Sequence, residues 1–361
     1  MAENKKQHYV PGFYLKYFSN NGDGKSIGVW NLKAGKFIRY GSLENQAFEN
    51  YFYGKDLEIE KMFADLEAQV SAILERAIKD RYLPKNPSED YLNLILFILF
   101  QMNRTKYASE LVNEMADKMF KTVYRHDKRV KDILDKVSIK SENPVLFALK
   151  VAANGFPLLF DLKCKLIINK TENSFIVSDN PVVRYNNFLL KRKWPLGKTG
   201  LLEPGLQIFY PIAPNRLLIL YDDKIYYAGH NKKDVVYLDK KNDVDEINSF
   251  QYLGSSENLY FNECVTESYL RGLIESNIKY KHVEKANVTE IPEIKEAPNN
   301  NSSLIVVGSE EISKDVNLPF INITKYAKEY VLGPSAALVR NKQLLKYAEE
   351  FAKNKNGHVD K

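Results

Sequence analysis

The sequence is poor in cysteine and has no long apolar run. Only two of its 361 residues are cysteines, Cys164 and Cys264, and neither lies in a Cys-x-x-Cys pair. This scarcity argues against a disulfide framework and against a zinc knuckle. The longest apolar run, Leu94–Phe100, is far shorter than the roughly 20 residues that a membrane helix needs. The sequence therefore predicts a reduced protein with no membrane partner.

The chain also lacks an apolar leader and the short motifs of common enzymes. Its first ten residues are polar, so we expect no signal peptide and a cytoplasmic location. The P-loop, GxGxxG, HExxH and GxSxG patterns are all absent from the sequence. The five histidines are too scattered for a His-rich metal site.

The composition is that of a folded protein with a small positive charge. Hydrophobic residues make up 44% and aromatic residues 12% of the chain, which argues against disorder. The formal net charge of +6 permits an anionic partner such as nucleic acid but does not require one. The sequence gives no indication of the oligomeric state.

Hydrophobic periodicity predicts an α+β fold. An amphipathic helix is predicted from about Leu57 to Arg81, and a buried helix follows Ser88. A β-rich region comes later, so we expect a helix-rich N-terminal half packed on a mainly antiparallel sheet, with a helical C-terminal tail. The predicted hairpins pair 27–32 with 36–40 and 166–168 with 175–177, further strands cover 208–212 and 217–221, and later helices cover 244–260 and 262–277.

The composition of one segment suggests a domain boundary. Residues 283–303 are rich in Glu, Lys, Pro and Asn, which is typical of a linker. The prediction is a single domain over 1–282, a linker over 283–303 and a small extension over 304–361.

The strand that ends in Ser178-Asp179-Asn180-Pro181 provides the first candidate residues. Phe175–Val177 have the β-branched and aromatic side chains typical of a strand, and Pro181 ends the strand because it has no N–H to donate. Asp179 is thereby held on a rigid turn, where functional carboxylates often lie. The pattern is also typical of a structural Asx turn, so both interpretations stay open.

Two carboxylates and an arginine provide the next candidates. At roughly 100° per residue, Glu60 and Glu67 share the flank of the first long helix. They could hold a divalent cation, pair with arginines or remain solvated. Gln101 and Arg104 follow the apolar helix at i and i+3. Since an unpaired buried charge costs several kcal/mol, Arg104 needs a carboxylate from Glu60, Glu67 or Asp179, or a substrate phosphate.

His8 and a basic loop complete the candidates. His8 precedes a short predicted helix, where it could act as a ligand or a base, or simply bond a neighbouring carbonyl. Residues 191–205 contain three consecutive basic residues and three glycines, and we interpret them as a loop over a cleft.

Several segments resemble motifs of the bacterial family catalogued as domain of unknown function 4238. They occur in the family's order over roughly residues 5–280. The matching segments are QHYVPGFYLKYF (7–18), ENYFYG (49–54), LEIEKMFADLE (57–67), FQMNRT (100–105), FIVSDNPVV (175–183) and YPIAP (210–214). Ala213 stands where the family more usually has serine, which makes this position a poor candidate for chemistry.

The resemblance implies a shared fold and a set of polar motif positions, because the family has no established reaction. Those positions are His8, Glu49, Glu60, Glu67, Gln101, Arg104, Ser178 and Asp179. So many polar positions would be unusual if packing were the only demand on the family.

The leading hypothesis is a phosphodiesterase or nuclease assisted by Mg²⁺ or Mn²⁺. A role as a toxin-like or antiviral effector is suggested by the family's bacterial setting alone. The predicted catalytic residues are His8, Glu67, Arg104 and Asp179, the predicted substrate-binding residues are Gln101, Arg104 and Ser178, and the predicted metal ligands are Glu60, Glu67 and Asp179.

Two alternatives come from other classes of protein. In a non-catalytic binding or regulatory module, the same polar residues would form a structural ion-pair network. That alternative predicts Arg104 paired with Glu67 or Asp179, with no open cavity beside them. In a metal-free transferase or hydrolase, His8 and Glu67 would carry the chemistry.

Overall fold

The computed structural model describes residues 6–55, 57–230, 232–292, 303–332 and 338–356. In these ranges the chain forms ten α-helices and several mainly antiparallel sheets, and the C-terminal segment is helical. The predicted α+β class is therefore confirmed.

The helices and strands follow one another in chain order. The strands are β1 (Lys6–His8), β2 (Ser26–Asn31), β3 (Lys36–Ser42), β4 (Phe48–Asn50), β5 (Leu162–Asn169), β6 (Val177–Ser178), β7 (Val183–Tyr185), β8 (Gln207–Ala213), β9 (Arg216–Asp222), β10 (Tyr226–Ala228), β11 (Val235–Leu238), β12 (Asn258–Phe261), β13 (Ala286–Pro292), β14 (Ser303–Ser309) and β15 (Ile321–Ile323). The helices are α1 (Gly12–Leu15), α2 (Glu58–Lys79), α3 (Glu89–Asn103), α4 (Lys106–Tyr124), α5 (Pro144–Gly155), α6 (Asn187–Lys191), α7 (Lys241–Gly254), α8 (Glu267–Asn277), α9 (Lys325–Glu329) and α10 (Lys342–Asn356).

The larger sheet has the strand order β11-β5-β9-β8-β7. Strand β5 pairs antiparallel with β9 and parallel with β11, whereas β7, β8 and β9 pair antiparallel. Every residue of β8 is buried, as expected for a strand covered on both faces. Strands β8 and β9 confirm the predicted strands at 208–212 and 217–221.

The smaller sheet has the order β3-β2-β12-β6 and is antiparallel throughout. Its first hairpin, β2–β3, confirms the hairpin predicted at 27–32 and 36–40. Because β6 lies at the edge of this sheet, Asp179 leaves the sheet immediately beside β12, and this position determines its hydrogen-bond partners.

The two central helices form as their sequences predict. The Ser88 hydroxyl accepts a hydrogen bond from the Tyr91 N–H at 3.2 Å and caps α3. The apolar face of α2 and most of α3 belong to one core cluster, which also contains Tyr210 and Ile212 of β8. In the described ranges no helix is long and apolar enough to cross a membrane.

The predicted hairpin between 166–168 and 175–177 is wrong. Strand β5 already has β9 and β11 on its two sides, so it has no free edge for residues 175–177. The Phe175 N–H instead donates to the Pro214 carbonyl at 2.8 Å, and β6 joins the smaller sheet. A local turn signal could not reveal that the chain changes sheets here.

The helix predicted over 244–260 ends early. Helix α7 stops at Gly254, Ser255 adopts an extended conformation, and 258–261 form β12. These four residues lie between β2 and β6, where backbone pairing on both edges overrides the helical pattern.

The C-terminal region packs on the main fold. Strand β15 pairs with β10, and the Arg340 guanidinium binds the Asp161 carboxylate at 2.9 Å. Of the predicted linker, Ala286–Pro292 form β13, which pairs with β14, whereas 293–302 lie outside the described residues. The division into a domain, a linker and an extension stays a prediction.

The pairing of β2 with β12 predicts a strong effect of Gly28→Ala. A Cβ atom at Gly28 would lie 2.2 Å from the Phe261 ring, so the ring or the strand must shift. We expect a loss of about 2 kcal/mol in the free energy of unfolding, measured by urea denaturation. Gly272→Ala is the control because a Cβ there meets nothing within 4 Å, and in a helix it should be neutral or stabilising. Equal stability of Gly28→Ala and wild type would contradict this packing.

Candidate functional site

The centre of the candidate site is the buried guanidinium of Arg104. Its residue is 1% exposed and follows α3, whose apolar surface carries the chain into the core. The Arg104 Nε donates to the Gln101 Oε1 at 2.8 Å, and a terminal nitrogen donates to the Glu67 Oε1 at 2.7 Å. The predicted need for a carboxylate is thus met by Glu67.

Aromatic rings enclose the same guanidinium. Its central carbon lies 4.6 Å from the centroid of the Phe63 ring and 5.4 Å from that of Phe97. Such cation–π contacts compensate part of the lost hydration of the charge. The second terminal nitrogen of Arg104 and the hydroxyl of Tyr210 are both buried without a hydrogen-bond partner in the described residues.

Glu60 lies on the exposed side of this pair. It is half-buried on α2, and burial, together with the negative charge of Glu67, raises its pKa. The positive charge of Arg104 acts in the opposite direction. A carboxyl group in this position holds a proton more readily than an ordinary surface glutamate.

His8 approaches the carboxylates from the N-terminal strand. Its ring is half-buried, its Nε2 lies 3.3 Å from the Glu44 carbonyl, and burial lowers its pKa despite the opposing charge of Glu67. The imidazole is therefore mainly neutral at pH 7. The His8 carbonyl accepts a hydrogen bond from the Tyr53 hydroxyl at 3.0 Å, so strand β1 is held in place.

The opening motif is tied to the remaining motifs through its backbone and tyrosines. Gln101 donates from Nε2 to the Tyr9 carbonyl at 3.0 Å. The Tyr14 hydroxyl donates to the Pro211 carbonyl at 2.7 Å, and its ring stacks on Tyr210 with centroids 5.0 Å apart. These contacts give Gln101, Tyr14 and Tyr210 a structural role.

Asp179 is bound by backbone amides. Its carboxylate accepts from the N–H groups of Ser256, Glu257 and Asn258 at 2.9, 2.5 and 3.1 Å. Burial raises its pKa to about 6, although these three hydrogen bonds and the charge of Lys281 oppose the rise. Asp179 therefore holds the SDNP turn to the start of β12.

Ser178 is likewise occupied within the protein. Its N–H and hydroxyl both donate to the Gln251 Oε1, at 3.0 and 3.1 Å. The Asn180 N–H in turn donates to the Ser178 hydroxyl at 3.2 Å. Ser178 therefore has no free hydrogen-bond donor in this geometry for its predicted role in substrate binding.

The structure thus brings some predicted site residues together and keeps others apart. His8, Glu60, Glu67, Gln101 and Arg104 form one cluster, which we call the Arg104 cluster. Ser178 and Asp179 bond to α7 and to the segment before β12 instead. In the described residues, no three His, Cys, Asp or Glu side chains are arranged to hold a metal ion. The metal role of Glu60, Glu67 and Asp179 stays a prediction.

The sequence reasoning missed a separate polar cavity of about 450 Å³. It lies between α4, the loop 195–200 and the hairpin β13–β14, and it is lined by Arg184, Glu203 and Glu311 among others. The predicted loop over a cleft at 191–205 does line this cavity, but Arg184 gave no signal beyond its position after the SDNP motif.

The fold is of the α+β class. Its two motif centres, the Arg104 cluster and Asp179, link the N-terminal strand, the central helices and the smaller sheet. The chain belongs to the family described as Protein of unknown function (DUF4238), whose family model matches residues 6–264. Neither the curated proteins nor the solved structures contain a match to this chain.

Breaking the buried ion pair should destabilise the protein strongly. Glu67→Gln leaves the Arg104 guanidinium without its carboxylate, so we expect a loss of about 3 kcal/mol in the free energy of unfolding. Glu267→Gln is the matched control because it removes the same charge from an exposed pair with Arg271, with an expected loss below about 1 kcal/mol. Similar losses in the two variants would contradict a structural role for the buried pair.

The raised pKa of Asp179 predicts a pH dependence of stability. The folded protein binds this proton more tightly than the unfolded chain, whose carboxyl titrates near 3.8. The stabilising effect of protonation is therefore complete below about pH 4 and is lost as the pH rises to about 6. Relative to Asp179→Asn, wild type should lose up to about 3 kcal/mol over this interval in urea unfolding. Parallel profiles for the two proteins would refute the assignment.

Proposed function

We propose that this protein is a non-catalytic binding or regulatory module in which the motif residues form a structural ion-pair network. The observation that carries the proposal is that the buried motif residues Arg104 and Asp179 bond to other groups of the protein. Arg104 is paired with Glu67 and Gln101, and Asp179 accepts three backbone hydrogen bonds. A buried group that already forms its hydrogen bonds within the protein gains no stability from bonding to a substrate.

The two centres have complementary tasks in such a module. The Arg104 cluster holds β1, α2 and α3 together through Tyr9, Glu67 and Gln101. Asp179 holds the edge strand β6 against the chain that enters β12. These tasks account for Glu67, Gln101, Arg104 and Asp179 without a reaction, because each of them pairs a polar group inside the protein.

A second candidate is an acid–base enzyme, which a specific observation favours. Glu60 and His8 are both half-buried beside Glu67, and burial raises the pKa of Glu60 but lowers that of His8, so that each uncharged form is favoured. Such opposite shifts are typical of a general acid and a general base. The nuclease hypothesis, with Mg²⁺ or Mn²⁺ and a nucleic-acid substrate, would add a metal at Glu60 and Glu67, and it needs a further ligand in place of the occupied Asp179.

Metal binding and cleavage separate these candidates. For the binding module we expect no change in the melting temperature with 1 mM Mg²⁺ or Mn²⁺ and no cleavage of DNA or RNA. A metal ion at a concentration a hundred times its dissociation constant would raise the free energy of unfolding by about 2.7 kcal/mol. Such a change is readily seen as a rise in the melting temperature.

The decisive variant is Glu60→Gln, because Glu60 lies outside the buried hydrogen bonds and its loss should leave the fold intact. Glu58→Gln, on the same helix and exposed, controls for the charge. Cleavage or a metal-dependent shift that disappears in Glu60→Gln but persists in Glu58→Gln would overturn the proposal in favour of an enzyme.

A further inference from the structure

The cavity beside Arg184 has the size and construction of a ligand site. Its volume of about 450 Å³ is within the range of small-molecule pockets. One wall is the hairpin β13–β14, which is fixed to α4 because the Glu114 carboxylate accepts from the N–H groups of Lys285 and Ala286. Lys118 of α4 also donates to the Ala286 carbonyl at 2.6 Å. The wall is thus anchored by several bonds.

Arg184 brings an unpaired positive charge into this cavity. It lies on β7, opposite Ile208 of β8, and burial lowers its pKa. Within the described residues its guanidinium has no hydrogen bond and no ion pair, although the charges of Glu311 and Tyr107 act on it. A guanidinium has five N–H donors, and Arg184 is only partly buried, so these donors remain available to a ligand in the cavity.

The nearest acidic group is already in use. The Glu311 Oε1 accepts hydrogen bonds from the N–H groups of Lys198 and Thr199, both at 2.7 Å, and from the Thr199 hydroxyl at 2.8 Å. Its other oxygen lies 3.5 Å from the Lys198 Nζ. Glu311 therefore fixes the glycine-rich loop at the cavity and is not bonded to Arg184.

A second lining acid is also unsatisfied. The Glu203 Oε2 is buried without a hydrogen-bond partner, and burial, together with the charge of Glu311, raises the pKa of its carboxyl to about 7. The positive charge that opposes this rise is that of Arg340, and Glu203 forms no ion pair with Arg184 in the described residues. The cavity is therefore lined by an unpaired cation and by a carboxyl group that has one oxygen without a hydrogen-bond partner.

We propose that this cavity binds a small molecule through an anionic group, a carboxylate or a phosphate, that pairs with Arg184. Both groups accept the two parallel N–H bonds that a guanidinium offers. The walls of Leu111, Met115 and Val306 would cover the apolar part of the ligand. This inference rests on the proposed function, since it names the ligand class of the binding module.

The first test needs no knowledge of the natural ligand. If Arg184 is kept for binding, Arg184→Gln removes an unpaired and partly buried charge that the fold does not use, so the variant should melt at the same or a higher temperature than wild type in buffer without added anion. If Arg184 served the fold instead, the variant would melt at a lower temperature, and the inference would fail.

The second test uses inorganic phosphate and succinate at constant ionic strength set with sodium chloride. We expect at least one of them to raise the melting temperature of wild type, and the affinity measured by calorimetry to fall at least tenfold in Arg184→Gln. Arg271→Gln, an exposed change of the same charge, should bind like wild type. A response to phosphate alone or to succinate alone identifies which anionic group the site prefers.

No response of wild type to either anion, or an equal response of wild type and Arg184→Gln, overturns the inference. The proposed function then still stands if Glu67→Gln destabilises the protein and no cleavage is found. Conversely, cleavage that depends on Glu60 overturns the proposed function whatever the anions do at Arg184.

Discussion

A positive charge buried in an apolar core is the constraint on which the arrangement of the N-terminal half depends. Arg104 cannot be hydrated, so the chain must supply a carboxylate, an amide oxygen and aromatic faces at fixed positions. Those groups come from α2 and α3, while Gln101 extends the network to the strand β1 region through Tyr9. The geometry of one side chain thereby fixes the relative positions of three segments.

The state of hydrogen bonding distinguishes the two polar regions of the molecule better than residue type does. Arginine and acidic residues occur both in the Arg104 cluster and in the cavity beside Arg184. In the cluster Arg104 is bonded to its neighbours, whereas Arg184 has no bonded partner in the described residues. An arginine without a partner contributes little to folding, so the presence of Arg184 at the cavity suggests a task outside the fold.

Local patterns predicted the elements that local interactions determine. The stripe of α2, the Ser88 cap of α3 and the need of Arg104 for a carboxylate could all be read from the sequence. The choice of Glu67 rather than Asp179 could not, because it depends on how distant strands are ordered. For the same reason the pattern of 258–260 predicts helix where the structure has β12, and the position of Arg184 after the SDNP motif does not reveal the cavity that the hairpin β13–β14 closes.

The pairing of β2 with β12 joins residues that are far apart in the sequence, since Asn31 lies opposite Asn258. During synthesis the hairpin β2–β3 leaves the ribosome early, with one edge of β2 unpaired until more than two hundred further residues have been made. Non-local pairing of this kind is slow, and an open strand edge invites association with other chains. The growing chain is therefore most exposed to misassembly in the long interval before β12 is translated.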